Sequence, residues 1–145
     1  MLNIKILTGY PEMFPGSLKH SLIGRALKEN IFTIDTINLH DFGIDNRKSV
    51  DDEPFGGGPG MILRPDVVEK ALFSISKKQS LNSAKIYLTP SGTLLNQKKL
   101  GYLSKLEEII ILKIYLNKIM ISLFMQPIIQ LVRTINLFHV LCLLF

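Results

Sequence analysis

Only one cysteine, Cys142, occurs in 145 residues, so no internal disulfide can form. The amino terminus lacks a basic segment followed by an apolar run and a small-residue cleavage site, and a cytoplasmic location is the expectation. No unbroken apolar stretch reaches the roughly 18 residues that a membrane helix needs. The longest uncharged stretches are residues 119–132, interrupted by Gln126, Pro127 and Gln130, and residues 134–145. Joined across Arg133 they just reach the thickness of a bilayer. The arginine would then cost roughly 2.5–3.5 kcal/mol, and Pro127 would break the helical hydrogen bonding. The three histidines, His20, His40 and His139, lie far apart and fit neither a metal-ligand spacing nor a catalytic pairing, so structural roles are expected for them.

A second absence is local. From residue 111 to 145 there is no Asp, no Glu and no Gly, whereas all 12 acidic residues lie before residue 110. The 17 basic residues divide as 14 before residue 110 and Lys113, Lys118 and Arg133 after it. The net charge of +5 therefore reduces to about +2 for the body, which is weak support for a nucleic-acid partner on electrostatic grounds alone. Three readings of the apolar tail stand side by side: a membrane anchor over residues 111–145, one or two buried core helices, or the product of an out-of-frame or disrupted coding region.

What is present is enough for one domain with a core, since 47% of residues are hydrophobic and the length is short for two domains. Residues 2–7 form an apolar run rich in β-branched side chains, stopped by Gly9 and Pro11, and read as a buried strand. Ser17 suits the cap of a helix with Leu18, Leu22, Ala26 and Leu27 on one face, ending near Asn30. Residues 31–39 read as a second strand. Pro65 suits the first turn of another helix, with Asp66 at its positive end and Val68, Ala71, Leu72 and Ile75 on its apolar side. Residues 85–88 give a third strand, 96–104 a third helix and 108–112 a fourth strand. Alternation of this kind predicts an α/β fold with a parallel sheet and helices on both faces. Ligands of such sheets bind beyond the carboxyl ends of the strands, which directs attention to loops 8–16, 40–61 and 89–95.

In the second of these loops, Asp51, Asp52 and Glu53 run into Pro54, Phe55, Gly56, Gly57, Gly58, Pro59 and Gly60. No Gly-Lys-Ser/Thr follows, and Met61 breaks the Gly-x-Gly-x-x-Gly spacing, so a phosphate cradle is not expected. Glycines allow a backbone to approach a ligand closely, and a flat base could be held there by main-chain groups with a carboxylate of Asp51 or Asp52 reading ring N–H donors. The plain alternative is a surface loop with solvated acids, and adjacent carboxylates that hold a metal are the less common case. The third loop follows Tyr87 and Leu88 with Thr89, Pro90, Ser91 and Gly92, ordinary turn formers whose position at a strand end suits a cofactor floor.

Five segments carry a resemblance in order and spacing: Tyr10 to Phe14, Gly24 to Lys28, His40 to Phe42, Val50 to Met61, and Tyr87 to Gly92. Across residues 1–112 the chain resembles the bacterial tRNA (guanine-N1) methyltransferases of the trefoil-knotted SPOUT class. The resemblance implies methyl transfer from S-adenosylmethionine to N1 of the guanine just 3′ of the tRNA anticodon, with tRNA as partner, no membrane partner, and a homodimer whose donor pocket lies near the subunit interface. It further implies that Tyr87, Leu88, Thr89, Pro90 and Gly92 line one side of the adenosyl site. Asp51 and the loop of Gly56, Gly57, Gly58, Pro59 and Gly60 would contact the target guanine or its neighbour. Thr89 stands where serine is more usual, which keeps the hydroxyl.

The fourth strand is where the likeness stops. Such enzymes continue with Cys-Gly-Arg-Tyr-Glu-Gly-Ile-Asp, a turn that contacts the donor, then a glycine-containing loop that threads the knot, an arginine, an aspartate that acts as base and a helical tRNA-gripping domain. Here Leu112 is followed by Lys113, Ile114, Tyr115, Leu116 and Asn117, and no such motif lies downstream. The expected division is therefore residues 1–112, a SPOUT-type fold truncated before the knot, and residues 113–145, a tail outside it for which the out-of-frame reading accounts best. No catalytic or metal-binding residue is assigned, and the chain is expected to be inactive in this form. A small membrane-associated protein anchored by residues 111–145 is the alternative of another class, and an RNA-binding remnant with weak, nonspecific affinity is a third.

Overall fold

The structure is a computed structural model that describes residues 1–57, 61–76, 81–88 and 92–113. Four parallel strands make its sheet: β1 (Leu2–Thr8), β2 (Phe32–Asn38), β5 (Ser83–Leu88) and β6 (Glu108–Lys113), in the spatial order β2-β1-β6-β5. Two-residue strands β3 (Asp51–Asp52) and β4 (Ile62–Leu63) form a separate antiparallel hairpin, with Asp51 opposite Leu63 and Asp52 opposite Ile62.

The period-2 alternation of β1 decides which helix packs where. Leu2, Ile4 and Ile6 point to one face, where they are buried with Ile109 and Ile111 against Ala26 of α1 (Ser21–Lys28) and Leu100 and Leu103 of α3 (Gln97–Leu103). Leu7 and Ile110 point to the other, beneath Val67, Ala71 and Ile75 of α2 (Pro65–Ser76). Helices therefore cover both faces, as expected for an α/β sheet. Each fully buried Ile or Leu contributes roughly 1.5–3 kcal/mol, so this central strand pair dominates the cohesion of the domain.

Two helical expectations need correction. The first helix does not begin at Ser17: a 3-10 turn spans Gly16–Lys19, and α1 starts at Ser21, whose φ is +57°. The break changes the helical phase, so Ile23 packs on the core while Leu22 is 61% exposed. Gly24 belongs to this junction, because a Cβ there would lie 1.9 Å from the Lys19 carbonyl oxygen. In α2 it is Val67, not Val68, that is fully buried. The ends were better legible. Asn30 has φ +54° and closes α1 with a Schellman pair, Ile31 N–H to Ala26 O (3.0 Å) and Asn30 N–H to Leu27 O (3.2 Å). Pro65 opens α2, and the Asn96 side chain caps α3 by accepting from Lys99 N–H at 2.9 Å.

Candidate functional site

The winding of the sheet marks one place. From β1 the chain moves outward to β2, then re-enters at the far edge as β5 and turns inward to β6, so the direction of winding reverses between β1 and β6. A crevice forms at the carboxyl ends on either side of such a reversal. Thr8 ends β1 there, buried, with its hydroxyl accepting the Tyr10 N–H at 3.2 Å. At the end of β5, Tyr87 lies level with Leu112 of β6 and is 52% exposed, whereas Leu88 turns to the opposite face and packs on the core. Gly92 is exposed. Thr89 and Pro90 lie outside the described residues.

The hairpin approaches from the α2 side. Val50 is buried with Leu7, Leu39 and Val67, and Leu63 packs against the same cluster, which also takes in Leu112. The preceding loop folds on itself: the His40 ring Nδ1 is 2.9 Å from the Lys48 carbonyl oxygen, and Asp45 accepts the Ser49 N–H at 2.7 Å. That N–H bond holds the Asp45 carboxyl below its ordinary range. The structural role expected of His40 is thus visible. His139 lies outside the described residues.

At the hairpin tip, Gly57 N–H bonds to Pro54 O at 3.0 Å across a turn in which Gly56 has φ +88° and Gly57 φ +76°. These are left-handed values, so the glycines are needed for the turn itself. Phe55, between them and Pro54, is 96% exposed. Gly58, Pro59 and Gly60 lie outside the described residues. The two acids of β3 differ. Asp52 Oδ1 accepts the Glu53 N–H at 2.9 Å, and Asp52 Oδ2 lies 3.8 Å from the Arg64 guanidinium. Asp51 is half-buried and makes no side-chain hydrogen bond or ion pair among the described residues. No group of three His, Cys, Asp or Glu side chains among the described residues is placed to hold a metal ion.

Arg64 is the residue that sequence reasoning missed. Its Nε and Nη2 donate to Asp66 at 3.3 and 3.2 Å, which holds the Asp66 carboxyl below its usual range. The signal that could have found it is a basic residue flanked by the acidic stem and by the first turn of a helix. Tyr87 and Asp51 thus reach the carboxyl end of the sheet on separate elements, a strand and a hairpin.

The sequence comparisons bear on this arrangement. A family model described as tRNA (Guanine-1)-methyltransferase TrmD matches residues 2–115. The chain belongs to this family. A tRNA (guanine-N(1)-)-methyltransferase of Ehrlichia canis (strain Jake) is 45% identical over 111 residues, which is 77% of this chain and 47% of the relative. The proteins of the same name in Wolbachia pipientis subsp. Culex pipiens (strain wPip) and Rickettsia bellii (strain RML369-C) are 42% and 52% identical. Those alignments cover 76% and 66% of this chain and 47% and 34% of the relatives. The chain spans about half the length of the curated relatives it matches. The match places Tyr10, the acidic hairpin and the end of β5 inside the family's shared region. No helix among the described residues is long and apolar enough to cross a membrane. Residues 114–145, the bulk of the suggested anchor, lie outside the described residues.

Proposed function

We propose that residues 1–112 supply part of the site of a tRNA methyltransferase that moves a methyl group from S-adenosylmethionine to N1 of the guanine 3′ of the anticodon. The observation that carries this reading is the family match over residues 2–115 together with the exposed Tyr87 and with Asp51, unpaired among the described residues, near the carboxyl end of the sheet. A ring standing half in solvent at the end of the edge strand β5 is a surface on which a flat adenine can stack, and this reading sets Tyr87 there, with the main chain of Leu88, Thr89, Pro90 and Gly92 along the same side of the adenosyl group. The bound sulfonium donor supplies an already activated methyl group. The protein's part is to orient guanine and to take its N1 proton as the N–C bond forms and the S–C bond breaks.

Asp51 and the loop of Gly56, Gly57, Gly58, Pro59 and Gly60 hold the base in this reading, the carboxylate accepting from its C2 amino group and the glycines admitting close main-chain approach. No side chain of this chain is assigned the proton-accepting role. The active form is a cytoplasmic homodimer, and in this reading the tail that follows β6 contributes nothing to the site. A graft tests the reading: residues 1–112 replace the matching region of the Ehrlichia canis relative, and methyl transfer from labelled donor to unmodified tRNA is measured. The graft should be active and its Asp51→Asn form at least about tenfold slower, in line with the loss of a charge-assisted contact. An inactive but folded graft contradicts the reading. The 145-residue chain alone should show no turnover.

A further inference from the structure

Arg64 belongs to no segment that carries the family resemblance, yet it joins three parts of the molecule. Its N–H bonds to Val50 O at 2.9 Å, just before the acidic strand, and its carbonyl accepts the Val68 N–H at 3.3 Å, the first turn of α2. Its guanidinium reaches Asp66 through two hydrogen bonds and Asp52 at 3.8 Å, with Asp45 a more distant negative neighbour. A hairpin with two residues in each strand has too few backbone bonds to hold its own place. Side chains on successive residues of a strand point to opposite sides, so the cation that engages Asp52 leaves Asp51 unpaired.

We infer that Arg64 is a positioning residue: it fixes the hairpin stem to α2 and offsets the charge of Asp52, so that Asp51 presents a single carboxylate to a purine. Guanine offers its C2 amino group to the carboxylate, whereas adenine has no donor at C2, so the clamp favours guanine and leaves N1 open to the methyl group. The inference rests on reading the hairpin as the guanine contact.

Two measurements on the whole 145-residue chain test it. In Arg64→Gln, amide exchange at Asp52 and Ile62, the hydrogen-bonded pair of the hairpin, should rise about tenfold while β1 and β6 stay protected, and Asp66 should titrate at higher pH. Arg64→Lys, which keeps the charge, should restore much of both. The second is binding of two short stem-loop RNAs that differ only in guanine or adenine 3′ of the anticodon triplet. The unaltered chain should prefer guanine by about tenfold, the order expected of one good base contact. Arg64→Gln should lose that preference and Arg64→Lys keep it. Unchanged exchange and titration in Arg64→Gln overturn the clamp. An unaltered chain with no preference overturns the guanine reading of the hairpin, whereas a preference that survives Arg64→Gln overturns only the role of Arg64.

Discussion

Two groups of paired charges sit in different surroundings in this molecule, one within the sheet and one beside the hairpin. Lys5, midway along β1, pairs with Glu108, the first residue of β6, and both lie on the α2 face of the sheet, where Glu108 is only 5% exposed in its side chain. The second carboxylate oxygen of Glu108, Oε2, and the Oδ1 of the neighbouring Asn3 are buried with no hydrogen-bond partner among the described residues. Beside the hairpin, Arg64 is 28% exposed, and its partners Asp52 and Asp66 are more exposed still. Burial decides what each cluster is for. A charge left alone inside the sheet cannot be rescued by water, so the first pair governs whether the sheet forms at all. Around Arg64 the solvent screens every contact, so that cluster adds little to global stability and acts by choosing where a short hairpin sits.

The sharpest way to break this comparison is Lys5→Met, which strands the Glu108 carboxylate. A loss of about 3–5 kcal/mol in urea unfolding is expected, with Lys5→Met combined with Glu108→Met recovering most of it. Ile109→Ala, one residue along and fully buried, calibrates the apolar share of the same strand at about 2–5 kcal/mol. If Lys5→Met costs less than Ile109→Ala and the double variant is no better, the buried pair is not the determinant described. Acid sharpens the other side. Because Arg64 holds Asp66 below its usual range, the contribution of that pair is complete above the ordinary Asp value of about 4 and is lost as the pH falls through the lower folded value. Hairpin amide protection factors, taken relative to the intrinsic exchange rate at each pH, should therefore fall in acid while the sheet's urea midpoint changes less. The smallest effect is expected from Arg25→Gln. It removes an exposed i,i+4 contact to Glu29 at 2.8 Å on α1 and should leave the urea midpoint unchanged within error.

Part of this architecture could be read without coordinates, for reasons that differ from element to element. The strands at residues 2–7, 31–39, 85–88 and 108–112 announced themselves by short apolar runs between breakers, and all four are present with shifts of one or two residues. Pro65 and Asn96 are local signals and mark helix starts, since a fixed φ and a side-chain cap act within one turn. The exposure of Leu22 was not legible, because it depends on a backbone break at Lys19–Ser21 that no periodicity records. Neither was the hairpin, whose two-residue strands are too short to show alternation. On the proposed site, the glycine-rich turn was visible as composition, while the different situations of Asp51 and Asp52 were not.

Sequence alone determined the kind of protein: alternation of apolar runs and amphipathic stretches requires a covered parallel sheet, and residue order suffices to recognise the family. It also showed that the run of glycines between the acidic stem and Met61 could take left-handed backbone, as Gly56 and Gly57 do. Only the tertiary structure decided the order β2-β1-β6-β5, which puts Lys5 beside Glu108 across more than a hundred residues of chain. The same holds for the choice of Asp52 and Asp66 as partners of Arg64. Such contacts depend on where folded elements meet, and local propensity carries no record of that meeting.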